Sequence, residues 1–562
     1  MAAPKAGGRE VITPSGAEVV VVPLGGCGEV GLNATLVLDG QHALLIDCGA
    51  LLGVENAPGV EKAVPGFEAL FAEGRRLEGV VLTHGHEDHI GGLPSLLAQL
   101  DVPVFGTPLT IALARSRLEN VEGRASANLT EVVLGSRITI GPFTIELVRV
   151  THSLPDSAAL AIDTRAGRIL HSGDFKLDPM PAYGPPTDTD RLKALGEEGV
   201  ALLLADSTNS EVEGHARSES EVALEIDRLI GSASQRVVVS LFASHLHRVR
   251  AVVDAAKKHG RRVALLGRSL ERTWKIGVAQ KQLPNDPTFL IAPEHLARVE
   301  KKRVVILATG SQGEWQGGLA KLALAKHANL RLVAGDRVIL STRAIPGNER
   351  AVGRLRNHLL RMGVEVFHDR MAPVHCSGHA HAGEQRELMN LVRPASFVPI
   401  HGERAMLEAH ARTARGQGVE QTLIVEDGQS VVLSGGKIAR GRDEPVSRCA
   451  LDSMGRPLDW KHVTERNRIG RGGLIVVSLA VDPSGRPVGQ VAITARGRAL
   501  SLAAERQMRQ RIAEIFEENP RLEVEPLTNK LRSQISAISR ANGGIRAEVE
   551  VHVVRLTPPI IG

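Results

Sequence analysis

The chain has 562 residues, 43% of them apolar and 23% charged, a globular composition long enough for several domains and their cores. The formal net charge of +5 is a mild excess that suits a polyanionic substrate without specifying one, and aromatic residues at 2% argue against extensive base stacking. Four dispersed cysteines (Cys27, Cys48, Cys376, Cys449) show no Cys-x-x-Cys pairing, no apolar run of about 18 residues occurs, and Met1 to Glu10 lacks a signal-like core, so a cytoplasmic protein with no zinc knuckle and no membrane span is expected.

Residues 1–16 read as a loose tail. Strands are expected over Glu18–Leu24, Ala34–Leu38 and Ala43–Asp47, with Asp39-Gly40 as the hairpin turn between the last two. Gly26-Cys27-Gly28-Glu29-Val30-Gly31 matches a dinucleotide fingerprint, but Asn33 to Leu38 reads as a strand where the fingerprint needs a helix N-terminus. The apolar run Leu77–Leu82 leads into Thr83-His84-Gly85-His86-Glu87-Asp88-His89, followed by a helix over Ile90–Leu100. Strands and helices alternate to Asp206, and a charged helix is expected over Glu211–Ile230. Between Arg236 and His368 the pattern becomes β-α units, with strands at Val237–Phe242, Arg262–Leu266, Arg303–Ala308 and Asp336–Ser341 and a helix at His245–His259, which predicts a parallel sheet. Further strands are expected at Thr422–Glu426 and Ser430–Leu433, and a strand-helix-strand tail at Gly473–Val481, Ala503–Glu518 and Ala547–Leu556. The layout predicted is a metal domain over 17–210 and 371–446, an α/β insert over 211–370, a linker at 447–470 and a C-terminal domain over 471–562.

Three histidines and an aspartate within six positions, at a strand-to-helix turn, are ligands suited to divalent transition metals at neutral pH. His84 and His86 share a face of an extended segment, while Asp88 and His89 come as the chain turns. That spacing suits two adjacent metals better than one. Asp47, His152, Asp174 and His401 each follow an apolar strand at a turn, where active-site loops gather. Each alone has a structural explanation; together with the histidine motif they form a metal constellation.

This set resembles the metallo-β-lactamase superfamily, and residues 206–403 resemble its nucleic-acid-acting β-CASP branch. Asp206 in Ala205-Asp206-Ser207-Thr208-Asn209, His379 in His375-Cys376-Ser377-Gly378-His379 and His401 match that branch's three extra motifs. Phe242-Ala243-Ser244, His247-Arg248-Val249, Gly267-Arg268-Ser269 and Gly310-Ser311-Gln312-Gly313-Glu314 are similar to ribonuclease J in particular, over roughly residues 17–440. The resemblance implies an α/β fold: a metallo-β-lactamase αββα sandwich, an inserted β-CASP parallel α/β domain and a small α+β C-terminal domain. It implies that His84, His86 and His152 hold one metal, Asp88, His89 and His401 the other, that Asp174 bridges them, and that Asp47 orients a ligand histidine. The metals expected are two divalent ions per subunit, Zn2+ first, with Mn2+ or Mg2+ as alternatives.

The implied activity is a 5′-to-3′ exonuclease that also cuts single-stranded RNA internally, in RNA decay and maturation, leaving 5′-phosphate and 3′-hydroxyl ends. Two metals about 3.5–4 Å apart would ready a water for in-line attack. His379 would protonate the leaving 3′-oxygen, with Asp206 catalytic or supporting. Ser377, Gly378 and His381 are expected at a phosphate, and Arg248, Arg268 and Arg343 along an RNA channel. The partners implied are RNA with a 5′-monophosphate, a second copy or four copies of the chain, and an RNA-degradation complex. Three positions depart from ribonuclease J habit: His245 in place of Asn, His381 in place of Ser, and Trp315-Gln316 in place of Pro-Met. The competing readings are a 3′-end-processing endoribonuclease, a small-molecule metallo-hydrolase and a non-catalytic RNA-binding subunit. The full ligand set argues against the last, and the long insert argues against the small-molecule enzyme.

Overall fold

The computed structural model describes residues 18–71, 74–119, 121, 127–314, 316–345, 347–519, 523–543 and 545–556. The expected tail over 1–16 and the departure at Trp315 lie outside the described residues. The chain divides into two compact units, one of residues up to Leu51 with Val64–Arg448, the other of Leu52–Ala63 with Cys449 onward.

In the first unit two large sheets stack. One has eight strands, with Glu18–Gly25, Ala34–Asp39, His42–Ile46 and Arg76–Val81 side by side at its centre. The other has seven, running from Arg137–Ile140 through Phe143–Arg149, Ala158–Thr164, Gly167–His171, Leu202–Asp206 and Ser396–Ile400 to Gln421–Thr422. Val19, Val21, Leu44 and Ile46 of the first sheet meet Ile145, Leu160, Ile169, Leu202 and Val398 of the second in one buried cluster. Alternate residues of the first sheet turn outward to Leu93, Leu96 and Ile111, and those of the second to Leu192, Leu388 and Ala414, so helices cover both outer faces. This is the expected αββα sandwich.

Five parallel strands form the insert's sheet, in the order Arg262–Leu266, Val304–Ala308, Val237–Ser240, Arg337–Leu340, Glu365–His368. Its strands are nearly continuous Val, Ile and Leu because helices cover both faces. The cluster on one face also takes in Leu109 and Leu154 of the sandwich and Val374 and Cys376 just after the insert.

Local expectations fail at identifiable places. The predicted helix over 90–100 is two short helices, Glu87–Ile90 and Leu93–Leu97. Gly91-Gly92 breaks it: the Gly92 N–H donates to Cys48 O (2.8 Å), and a Cβ on Gly92 would stand 2.6 Å from Gly49 O. The helix expected from Glu211 starts only after Ser218, whose side chain caps it. The strand expected over 422–426 pairs only at Gln421–Thr422.

In the second unit, residues 52–63 return to pair with the chain after Cys449, Glu61 N–H donating to Leu451 O (2.8 Å). The expected linker carries the helix Trp460–Gly472. Three strands, in the order Pro487–Arg496, Leu474–Val481, Glu548–Arg555, form a sheet, the first pair antiparallel and the second parallel. Leu474–Val481 alternates strictly: Ile475, Val477, Leu479 and Val481 point to helices Leu502–Glu518 and Val524–Gly543, against Met508, Ile512, Leu531 and Ile535. The strand-helix-strand expectation thus missed the strand Pro487–Arg496 and the helix Val524–Gly543. Among the described residues no helix is long and apolar enough to cross a membrane, and none of the four cysteines is in a disulfide.

Candidate metal centre

The site lies where strand ends meet. Ile46 pairs with Val81 in parallel, so Asp47 and Thr83 leave neighbouring strands together. Gly167–His171, Leu202–Asp206 and Ser396–Ile400 are parallel neighbours too, and their shared end delivers Asp174, Asp206 and His401. Asp47 and His401 are both left-handed, with φ of 59° and 50°. Such conformations are strained for residues with a Cβ and cluster at functional sites.

Two ligand groups result. Donor atoms of His84, His86, His152 and Asp174 all fall within 4.8 Å of one another, as do those of Asp88, His89, Asp174 and His401. His86 Nδ1 is 3.0 Å from His84 Nε2 and 3.1 Å from His152 Nε2, and Asp174 Oδ2 is 3.6 and 3.8 Å from the same two nitrogens. Ligands 2.0–2.1 Å from a tetrahedral cation stand ~3.3 Å apart, so these separations are close to the edges of one coordination sphere. Asp174 Oδ2 also lies 3.2 Å from His89 Nε2, and His401 Nε2 lies 3.6 Å from Asp88 Oδ2. Despite these neighbours, neither Asp174 Oδ2 nor His401 Nε2 makes a hydrogen bond among the described residues, although both are buried. Buried polar atoms without partners are costly, and a cation between them would satisfy both. The residues fit a pair of divalent ions with Asp174 shared.

Each imidazole is oriented by a bond at its other nitrogen. Thr83 Oγ1 meets His84 Nδ1 (3.1 Å), Ser153 Oγ meets His86 Nε2 (3.2 Å), and Gly378 O accepts from His152 Nδ1 (2.8 Å). Asp47 Oδ2 accepts from His89 Nδ1 (2.7 Å) and from Thr83 Oγ1 (2.8 Å), while its Oδ1 accepts from Thr83 N (2.8 Å). Such partners fix tautomer and ring direction. Gly378 packs so closely on the His152 ring that a Cβ would be 2.7 Å from Cε1.

Burial lowers His84, His86 (to about 3) and His152, so these imidazoles are neutral and their lone pairs free near pH 7. Burial would lower His89 and His401 as well, but Asp174, with Asp47 for His89, outweighs it and raises both. Burial would raise Asp174, yet His401 and His89 hold it well below the usual carboxylate range.

Beside the two groups stands a third, of Asp174, Asp206, His379 and His401. Asp206 Oδ2 accepts from His379 Nδ1 at 2.8 Å, while Oδ1 accepts from Thr208 N and Oγ1 at 2.9 and 2.7 Å. Burial would lower His379, but Asp206 and Asp174 prevail and hold it up at about 9. Asn209 ties the loop down, donating to Ser377 Oγ (2.8 Å) and His379 O (3.1 Å). Ser377 Oγ in turn accepts from His379 N (3.1 Å). His381 is half-buried at the start of helix Ala382–Val392, its N–H donating to Glu384 Oε2 (2.8 Å). Arg268 is exposed at the start of helix Arg268–Ala279, and Arg343 is exposed beside Asp369 (3.4 Å).

Arg248 is a correction. It is 1% exposed and cannot line an RNA channel. Its guanidinium donates to Glu219 Oε1 (2.7 Å) and Ser341 O (3.0 Å) and meets His375 Nδ1 (3.0 Å). His245 joins the same network through Glu219 Oε1 (3.0 Å). Sequence reasoning also missed Asn33, whose Nδ2 is 3.0 Å from His89 Nε2, together with Thr83, Ser153, Asn209 and Glu219. Thr83, Ser153 and Asn209 flank recognised motifs and could have been found by that adjacency. Asn33 and Glu219 carried no such signal.

Comparison with known proteins agrees with this geometry. Residues 27–213 match the metallo-β-lactamase superfamily, 234–359 the ribonuclease J β-CASP domain, and 363–425 the Zn-dependent metallo-hydrolase RNA specificity domain. The chain is 39% identical over 471 residues to ribonuclease J of Thermus thermophilus, covering 82% of each protein. It is 37% identical over 527 residues to that of Mycobacterium tuberculosis, covering 93% of this chain and 90% of the relative. A solved protein of unknown function from Enterococcus faecalis V583 superposes with a TM-score of 0.51 at 16% identity, covering 74% of this chain and all of that one, a likeness of fold alone. With relatives this similar over four fifths of both chains, and with its sandwich and insert each matched, this chain belongs to the ribonuclease J family of metal-dependent hydrolytic ribonucleases.

Proposed function

We propose that the chain degrades single-stranded RNA from the 5′ end, preferring a 5′-monophosphate, and also cuts internally, in RNA decay and maturation. His84, His86, His152 and Asp174 would hold one divalent cation, and Asp88, His89, Asp174 and His401 the second, zinc in the first instance with manganese or magnesium as alternatives. When bound, such a pair supplies Lewis acidity toward the phosphoryl oxygens and a nucleophilic water at neutral pH.

The chain's own groups do the rest. Asp47 and Thr83 keep His89 and His84 facing inward, and Gly378 O does so for His152. Asp206 fixes Nδ1 of His379, and its negative charge favours the imidazolium. His379 Nε2 then passes a proton to the departing 3′-oxygen, so one product keeps the 5′-phosphate and the other a 3′-hydroxyl. Ser377, the amide near Gly378 and His381 hold a phosphate of the substrate, and Arg268 takes the backbone. The observation that carries the reading is one buried carboxylate, Asp174, shared by two ligand groups and adjoining the Asp206–His379 pair. A homodimer or homotetramer acting in the cytoplasm within an RNA-degradation complex completes the proposal.

The test offers a 5′-monophosphorylated RNA, its 5′-triphosphorylated twin and a circular RNA to the metal-loaded protein and to Asp88→Ala/His89→Ala. Mononucleotides from the monophosphate alone support 5′-to-3′ exonuclease action, and opening of the circle supports internal cutting. Equal activity in the double variant overturns the assignment of the site.

A further inference from the structure

The chain's basic excess is not spread evenly. Residues 449–562 hold 17 Lys and Arg against 12 Asp and Glu, whereas the 448 residues before them hold 51 of each. The whole formal +5 therefore belongs to the C-terminal segment, away in sequence from every metal ligand. Within that unit much of it is gathered on one concavity. Arg468 and Arg471 come from the helix Trp460–Gly472, Arg532 from Val524–Gly543, and Arg546 from the turn before Glu548–Arg555. These four line a cavity of about 270 Å³.

Their charge is only partly answered. Arg468 Nε is 3.3 Å from Glu548, and Arg532 reaches Glu550 only at 3.5 Å. Arg546 Nε donates to the neutral Ser536 Oγ at 2.7 Å. Arg471 is exposed and has no acidic partner among the described residues. Four guanidiniums against two carboxylates leave a positive hollow, and guanidinium forks match phosphate oxygens in planar pairs. Among the described residues no aromatic side chain lines the hollow, so they offer nothing there on which a base could stack.

We infer that this cavity is a second RNA-contact site, which holds the sugar–phosphate backbone of a single strand through Arg468, Arg471, Arg532 and Arg546 without reading its bases. The inference rests on RNA being the substrate proposed above. Each phosphate contact on a single strand adds about 0.7 to the slope of log affinity against log salt.

The experiment measures binding of a fluorescent 5′-monophosphorylated single strand of about 30 nucleotides to the whole protein in chelator, across a salt series. Arg471→Gln breaks no hydrogen bond or ion pair among the described residues, so it guards against a fold effect. It should lower the slope by about 0.7, and Arg471→Gln/Arg532→Gln by about 1.4, with binding on the order of tenfold weaker at 0.1 M salt. Metal-supported cleavage of a trinucleotide should stay at the wild-type rate. Unchanged slopes in both variants, beside a wild type that binds and cleaves RNA, overturn the second site and leave the ribonuclease reading standing. Loss of polyglutamate binding with RNA binding intact also overturns it, in favour of an acidic protein partner. A wild type that neither binds nor cleaves RNA sinks both readings.

Discussion

Arg248→Met should unfold the first unit more easily while leaving no exposed cation missing. The guanidinium is 1% exposed and faces Glu219, Ser341 O and His375. Methionine keeps most of the volume but strands the Glu219 carboxylate, which is then left with His245, Lys176 and the Cys376 thiol around it. Removing one partner of a buried ion pair costs about 3–5 kcal/mol, most of it the penalty of the charge left behind. Losing the donor to Ser341 O adds about 1 kcal/mol. The expected result is a urea midpoint lower by roughly 1 M, followed by circular dichroism, since the slope for a unit of this size is several kcal/mol per M. Glu219→Gln/Arg248→Met should recover a large part of the loss, giving a coupling of about 1–3 kcal/mol in the double-mutant cycle. A variant with an unchanged midpoint and RNA affinity down tenfold would refute the reasoning, because that is how an exposed channel arginine behaves.

The same network sets an acid limit. Burial would raise Glu219, but Arg248 and His245 hold it well below its ordinary value of 4.5. Its folded value lies under its unfolded one, so its stabilisation is complete above about 4.5 and drains away as pH falls from there through the folded value. Acid unfolding of Glu219→Gln should therefore be flatter below about pH 4.5 than that of wild type, and parallel curves would exclude the linkage. Gly378→Ala, whose Cβ would meet His152 Cε1 at 2.7 Å, should displace that ring and weaken one of the two metals about 10- to 100-fold, read as metal content after dialysis. Full occupancy in that variant would contradict the packing. Asp47→Ala removes the 2.7 Å carboxylate partner of His89 Nδ1, leaving only Thr83 Oγ1 at 3.4 Å, and should cost about the same 10- to 100-fold in metal affinity, measured by competition with a chelating dye.

Much of the candidate metal centre, as a cluster of side chains, was legible before any fold was known, because its core is local. His84, His86, Asp88 and His89 are spaced by backbone geometry alone, and Asp47, Asp174 and His401 announce themselves as polar residues ending apolar strands. Alternation and β-α texture likewise exposed both sheet types, since periods of 2 and 3.6 are properties of single segments. What remained hidden depends on partners far along the chain. Arg248 looked like a surface cation until Glu219, 29 residues earlier, was placed against it. The helix after His89 divides because Gly92 must approach Cys48 and Gly49. Residues 52–63 belong with a segment some 390 residues later. Spacing along a segment fixes which side chains can point together, whereas burial and pairing are decided by what packs opposite, and that is a property of the folded chain alone.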